Sequence, residues 1–248
     1  MPSDRPASKP RATPDPALSK QGTAVASLLH SSPSGLSGLD NPYLRLFRLV
    51  RGNLPGPEQR WGSLATNASG RLDRLDDALR HFAFAVPDDG ALQAIIARGP
   101  VLEIGAGSGY WAALLRQRGL DVLAIDKYRS RADPLGRAMA WTEVLPGGPE
   151  VAAAHPGRSL LLCWPPYDAP IAAQALGAYR GSCLIYIGAP RGGATATGAF
   201  FDALDSAWRL VERLAIPRWH RQHDDLTVWL RRKPTGRPGI AGPGVRLP

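Results

Sequence analysis

The sequence predicts a doubly wound α/β fold, with a mostly parallel sheet that ends in an antiparallel hairpin. Short apolar runs alternate with helical stretches after Pro100, and this alternation is typical of parallel strands that are connected by helices. The last two apolar runs, 210–216 and 226–232, leave no room for a helix between them, so they should pair in antiparallel fashion around the loop 217–225. The chain of 248 residues is 44% hydrophobic, which is enough to bury a core.

The elements of the sheet follow one another from residue 101 onwards. The strands are predicted at 101–104, 122–126, 142–145, 160–163 and 183–188. The helices between them are predicted at about 109–118, 130–138, 148–154, 169–180 and 198–208, where apolar residues recur at helical spacing. These elements and the hairpin make up a main domain over residues 100–232.

The segments before and after this domain have a different composition. Residues 1–40 are rich in Pro, Ser, Ala and Gly without apolar periodicity, which predicts a disordered arm. Helical spacing returns within residues 41–99 and predicts a helical leader, in which 82–87 joins the leader to the sheet or, alternatively, folds over the site as a lid. The Pro/Gly-rich residues 233–248 are predicted to be a flexible tail.

Charge and cysteine content narrow the choice of partners and compartment. Lys and Arg number 30 against 21 Asp and Glu, a net charge of +9, but only four of the basic residues are lysines. An arginine surplus is also what a GC-rich genome encodes, so a nucleic-acid partner is not favoured. The apolar runs are too short for a membrane helix, and Cys163 and Cys183 lie in predicted core strands, so we expect a cytoplasmic protein with reduced thiols, no membrane partner and no metal site.

A glycine-rich segment after the first strand is the strongest chemical signal. Gly105, Gly107 and Gly109 separate this strand from a helix, and such glycines permit a tight turn and the close approach of a ligand to the backbone. The N–H groups at the helix start favour an anionic group. The glycine spacing of nicotinamide dehydrogenases would place a glycine at position 110, where this chain has Tyr110, so an oxidoreductase is disfavoured.

Together with Glu103, this segment resembles the first motif of class I S-adenosylmethionine (SAM)-dependent methyltransferases. The resemblance implies a Rossmann-like methyltransferase sheet and SAM as the cofactor, with the glycine loop against its methionine part and Glu103 oriented towards its ammonium group. Asp126 ends the next strand, where a carboxylate can accept two hydrogen bonds from ribose hydroxyls. The expected cofactor contacts are Glu103, Gly105, Ala106, Gly107, Gly109, Asp126 and Cys163.

A second motif, Trp164-Pro165-Pro166-Tyr167-Asp168, follows the fourth strand. It resembles the Asp/Asn/Ser-Pro-Pro-aromatic motif of amino-methylating enzymes, in which a side-chain oxygen and a proline carbonyl hold the target amine. Trp164 departs from that pattern, because an indole donates a hydrogen bond but accepts none. Trp164, Tyr167 and Asp168 are the candidate catalytic residues, although Asp168 also stands where a helix cap is expected, and the cap is the favoured interpretation.

Two loops complete the list of candidates. The glycine-rich loop 188–193 lies at the same edge of the sheet and can shape an acceptor pocket. The hairpin loop contains His223 and Asp224, either a general base or, as the favoured interpretation, solvated turn residues.

The predicted function is methyl transfer from SAM to a small-molecule or peptide acceptor, similar to substrate-unassigned methyltransferase-domain proteins that carry a WPPYD segment. The alternatives are a nucleic-acid amino methyltransferase and a non-catalytic SAM-binding module.

Overall fold

The computed structural model describes residues 23–24, 27–52, 78–128, 140–219 and 222–233. Within these ranges, the strands are β1 (Val101–Ile104), β2 (Val122–Asp126), β3 (Leu145–Pro146), β4 (Ser159–Cys163), β5 (Cys183–Gly188), β6 (Trp208–Ala215) and β7 (Asp225–Arg231). The helices are α1 (Pro42–Gly52), α2 (Asp89–Ile96), α3 (Tyr110–Gln117), α4 (Ile171–Ala178) and α5 (Gly198–Ala207), with 3-10 helices at Pro33–Gly35 and Pro149–Ala154. None of these helices has the length and apolar character needed to cross a bilayer.

The strands form one sheet in the order β3-β2-β1-β4-β5-β7-β6. The pairs from β3 to β5 are all parallel, whereas β7 pairs in antiparallel fashion with both β5 and β6. This order confirms the predicted doubly wound, Rossmann-like sheet with its C-terminal hairpin. Because the strand order reverses between β1 and β4, a crevice opens at their carboxyl ends, where ligands bind in such sheets.

The strand boundaries agree with the sequence to within two residues for all strands except the third, with β4, β6 and β7 displaced by one or two residues. β1, β2 and β5 have the predicted bounds, but the third strand, predicted at 142–145, is only Leu145–Pro146. Arg116 explains the difference, because its guanidinium donates hydrogen bonds to Thr142 Oγ1 and to the backbone carbonyl of Glu143, at 2.7 and 2.8 Å. The helix predicted at 130–138 lies outside the described residues.

The central strands are buried on both faces, and alternate residues enter two separate cores. Val101 and Leu161 point to a core shared with α2, α3 and the leader. Leu102 and Leu160 point to the opposite core, which α4 and α5 cover. This alternation is the period-two pattern of a strand, with apolar residues at both phases because helices cover both faces.

The helical leader is fastened to the main domain through Asn41. The Asn41 side chain donates a hydrogen bond to the Pro87 carbonyl, at 2.9 Å, and its Oδ1 accepts one from the Tyr110 hydroxyl, at 2.8 Å, and one from the backbone N–H of Leu44, at 3.0 Å. The Tyr43 ring stacks on Phe82, with ring centroids 4.8 Å apart. These contacts hold the segment around Phe82 against the start of α3.

The expected disordered arm requires a correction at its C-terminal end. Most of residues 1–26 lie outside the described residues, but Leu28, Leu29 and Leu36 pack against the core that the leader shares with the sheet. All three leucines are partly buried there, and their apolar contacts help to hold this stretch against the domain. The packed part of the chain therefore begins before residue 40.

Candidate functional site

A small cleft opens at the carboxyl ends of β1 and β4. It is lined by the glycine loop, the leader segment and the end of β4. Its lining residues are Phe82, Ala83, Phe84, Glu103, Gly105, Ala106, Gly107, Ser108, Trp111, Cys163 and Trp164.

The glycine loop has the backbone geometry that the sequence predicts. Gly105, Gly107 and Gly109 have φ angles of +78°, +57° and +76°, the left-handed region in which other residues are strained. A Cβ at Gly109 would also lie 2.7 Å from Val144 Cγ2. The loop therefore needs glycine for both conformation and space, and it turns the chain from β1 into α3 beside the cleft.

Glu103 is a buried carboxylate at the cleft without a partner for one of its oxygens. The residue is 1% exposed, and its Oε2 atom has no hydrogen-bond partner among the described residues. Burial raises the pKa of Glu103 to about 8, against the opposing effect of Arg116. The ligand-free carboxyl group therefore keeps its proton at neutral pH, and a ligand that brings a cationic hydrogen-bond donor to Oε2 would favour the ionised form.

Asp126 holds the glycine loop in place and lies at the end of β2. Its Oδ2 accepts a hydrogen bond from the backbone N–H of Gly107, at 2.8 Å, and its Oδ1 accepts one from the N–H of Tyr128, at 2.9 Å. Each carboxylate oxygen has a second lone pair, so both oxygens can still accept a ribose hydroxyl. The carboxylate is thus oriented before any ligand arrives.

Cys163 lines the cleft as an uncharged group. It is a free cysteine at the end of β4. Burial, followed by the neighbouring carboxylate of Glu103, raises the pKa of the Cys163 thiol well above its usual range. The thiol is therefore a packing surface at neutral pH and not a nucleophile.

Trp164 reaches the cleft in an unusual conformation. Its φ angle is +52°, and its backbone N–H donates to the Ile187 carbonyl, at 2.8 Å. Its indole Nε1 donates to Asp224 Oδ2, at 2.8 Å, while its ring stacks on Phe84, with centroids 4.7 Å apart. The residue that departs from the amino-methylating motif is therefore built into the wall of the cleft.

The other two candidates for catalysis lie outside the cleft. Tyr167 is 65% exposed and Asp168 is also exposed, and neither lines the cleft. The expectation that Asp168 caps the next helix is wrong, because α4 begins at Ile171 with Pro170 in the N-cap position and no side-chain capping hydrogen bond. Asp168 stands two residues too early to reach the orphan N–H groups of that helix.

The double proline is tied to the loop after β5. The Pro165 carbonyl accepts a hydrogen bond from the N–H of Ala196, at 2.8 Å, and Pro166 forms a β-bridge with Thr195. Thr195 is fully buried, and its Oγ1 accepts a hydrogen bond from the N–H of Ala189, at 2.8 Å. A proline carbonyl that would hold a target amine is thus already engaged within the chain.

Two contributions to the cleft were not predicted from the sequence. Asp224 is 2% exposed and bonded to Trp164, so the expectation that it is a solvated turn residue is wrong, whereas His223 next to it is exposed. Desolvation raises the pKa of Asp224, against the hydrogen bond from Trp164. The sequence placed Phe84 in the segment that forms a seam or a lid, but it did not predict that the Phe84 ring stacks on another ring. The only sequence feature that drew attention to Asp224 was an Asp-Asp pair just before an apolar run. This feature does not identify Trp164 as the hydrogen-bond partner of Asp224.

Comparison with known proteins finds similar folds only at low identity. No family model matches the chain, and no curated protein matches it. Among solved structures, a magnesium protoporphyrin IX methyltransferase from Synechocystis PCC 6803 with bound SAM is 12% identical, with a TM-score of 0.42, over 69% of this chain and 89% of that one. A didemethyltoxoflavin methyltransferase from Burkholderia thailandensis is 17% identical, with a TM-score of 0.42, over 72% and 91%.

Not all of the similar structures are described as methyltransferases. A protein of the NADB-Rossmann superfamily from Streptococcus agalactiae is 16% identical, with a TM-score of 0.38, over 60% of this chain and 71% of that one. At these sequence identities and TM-scores, the structures show only what the chain is similar to. The interpretation of the cleft depends on its own residues.

Proposed function

We propose that this chain is a SAM-dependent methyltransferase that acts on a small-molecule or peptide acceptor. The observation that supports it most strongly is the unpartnered Oε2 atom of Glu103, buried beside a glycine loop at the switch point of a doubly wound sheet. SAM has an ammonium group for this carboxylate and ribose hydroxyls for the carboxylate of Asp126. We assign Glu103, which lines the cleft, to the ammonium group, and Asp126, at the end of β2, to the ribose.

The division of labour among the residues follows from what methyl transfer requires. SAM, when bound, supplies a methyl group that is already activated by the positive sulfur. The protein then has to align the acceptor and exclude water, and it needs no conventional catalytic dyad. In this proposal Glu103 holds the methionine part of the cofactor and Asp126 holds its ribose, while Phe84 and Trp164 screen the cleft from solvent.

Transfer to the amine of a nucleic-acid base has weaker support. Trp164 supplies no acceptor atom, and the Pro165 carbonyl is bonded to Ala196. The motif therefore lacks the side-chain oxygen that would grip a base amine, and one of the two lone pairs of the Pro165 carbonyl is already used. Retention of labelled DNA or RNA that falls steeply between about 50 and 200 mM salt would favour the nucleic-acid alternative.

Calorimetric titration with SAM and S-adenosylhomocysteine (SAH) tests the cofactor assignment. We expect both to bind the wild type and Gly119→Val, and neither to bind Gly107→Val. Gly119 is the matched control, because its φ angle is also positive, at +81°, but it lies at the far end of α3 with nothing within 4 Å of an added Cβ. Unchanged binding by Gly107→Val, or preferential binding of NADH, would contradict the assignment.

A transfer assay separates an enzyme from a binding module. Protein is incubated with methyl-labelled SAM and either a metabolite or a peptide fraction. We expect label in one fraction with the wild type and none with Gly107→Val. Tight SAM binding without label in either fraction would favour the non-catalytic alternative.

A further inference from the structure

Two aromatic rings line the cleft together with the glycine loop. The Phe84 and Trp164 rings stack with centroids 4.7 Å apart and 12° between their planes. Both residues line the cleft together with Glu103, and both are only half-buried. Ring surface therefore remains available to a ligand beside the cofactor position.

The polar atom of Trp164 is used up within the protein. An indole has one N–H and no acceptor, and this N–H donates to Asp224, whose side chain is buried. The backbone N–H of Trp164 is bonded to Ile187. What Trp164 offers to the cleft is the ring itself, in a fixed orientation.

The neighbouring backbone offers little more to a polar acceptor. Pro165 and Pro166 have no N–H, and the Pro165 carbonyl is bonded to Ala196. Cys163 presents an uncharged thiol. The surface that Cys163 and Trp164 give to the cleft is therefore mainly apolar, in contrast to the carboxyl group of Glu103.

We propose that Phe84 and Trp164 form an aromatic subsite that binds a planar, neutral ring of the methyl acceptor, and that Asp224 is the positioning residue that holds Trp164 there. The proposal rests on the proposed function and adds an acceptor class to it. A third ring can extend the existing stack. Stacking of a planar ring contributes binding energy in addition to that from the burial of apolar area.

The test compares two probes of the same skeleton, 2-naphthol and decahydro-2-naphthol, by titration calorimetry with and without SAH. Both are neutral and carry one hydroxyl, so they differ mainly in planarity. We expect wild-type protein to bind 2-naphthol about five- to tenfold more tightly, from typical stacking energies. The preference should vanish in Trp164→Leu and Phe84→Leu but persist in Phe201→Leu, an aromatic residue of α5 in the opposite core.

Three results would overturn the aromatic subsite. They are equal affinity for the two probes, no binding of either, and a preference that survives Trp164→Leu. SAH binding is measured separately, so failure of the cofactor assignment can be distinguished from failure of the aromatic subsite. If the protein binds no SAH but still prefers 2-naphthol in a Trp164-dependent way, the aromatic subsite stands and the methyltransferase assignment does not.

The role of Asp224 is tested through the indole N–H of Trp164 in a ¹⁵N-labelled sample, with the resonance assigned from Trp164→Phe. Asp224→Asn keeps an acceptor oxygen and should preserve both the resonance position and the probe preference. Asp224→Leu should shift the resonance and lose at least half of the preference. Should Asp224→Leu fail to fold, Trp164→Phe takes its place, because it keeps a ring without the N–H. A reduced preference for 2-naphthol in Trp164→Phe supports the positioning role of Asp224. An unchanged preference in Trp164→Phe, or an unshifted resonance in Asp224→Leu, contradicts that role.

Discussion

At the scale of single residues, the chemistry of the cleft depends on Glu103. Glu103→Gln keeps the shape and removes the charge, so we expect SAH to bind about 30- to 100-fold more weakly, because a buried charge-assisted hydrogen bond to the ammonium is lost. Glu143→Gln is the control, since Glu143 is exposed and does not line the cleft. Titration calorimetry measures both, and equal affinities would contradict the role of Glu103.

The raised pKa of Glu103 makes the stability of the ligand-free protein depend on pH. Burial raises this pKa from 4.5 to about 8, so between these values the folded protein holds a proton that the unfolded chain has lost. The free energy of unfolding should therefore fall as pH rises from about 5 to 8, by about 3 to 4 kcal/mol from this group. Unfolding in urea should show that Glu103→Gln gains stability over wild type at pH 8 and not at pH 5; a pH-independent difference would argue against it.

Gly109 tests whether the glycines of the loop are needed for conformation alone. Gly109→Ala should cost about 2 to 4 kcal/mol, because the new Cβ would meet Val144 at 2.7 Å in addition to the strain of a positive φ. Gly119→Ala has the same kind of φ but open space, so it should cost about 1 kcal/mol. Equal losses in urea unfolding would mean that the contact with Val144 relaxes freely.

At the scale of elements, the leader belongs structurally to the cleft. The backbone carbonyl of Phe82 accepts a hydrogen bond from Ser108 Oγ, and that of Ala85 accepts one from Trp111 Nε1. Phe84 from the same segment lines the cleft. The segment 82–87 thus serves both as the seam and as a cover of the site, the two roles between which the sequence did not decide.

Asn41 is the residue through which this attachment can be tested. Asn41→Leu removes hydrogen bonds to Pro87, Tyr110 and Leu44, so we expect a loss of about 2 to 4 kcal/mol in urea unfolding and faster hydrogen exchange in 82–87. Tyr110→Phe removes only the hydroxyl and should cost about 1 kcal/mol. Exchange in 82–87 that stays as slow as in wild type would show that the leader is held by other contacts.

The elements differ in how far the sequence determines them. β1, β2 and β5 were predictable to the residue, because each is an apolar run bounded by glycine, proline or charged residues. β3 was not, since a two-residue edge strand has no period and its neighbours are bonded to a side chain of α3. The bond from Trp164 to Asp224 joins residues 60 positions apart, and only the antiparallel pairing of β5 with β7 brings them together.

At the scale of the whole molecule, the topology explains why a site exists where it does. The order β3-β2-β1-β4-β5-β7-β6 places the ends of β1, β2 and β4 at one edge, and these ends supply Glu103, Asp126 and Cys163. On the described surface, Arg191 pairs with both Asp202 and Asp205.

A crystal structure of the protein with SAH tests the central claim most directly. We expect the ammonium group within hydrogen-bond distance of Glu103 Oε2 and the ribose hydroxyls at the carboxylate of Asp126, with the glycine loop beside the methionine part. Nucleoside density at any other place, or a cleft that stays filled by its own side chains at saturating SAH, would contradict it.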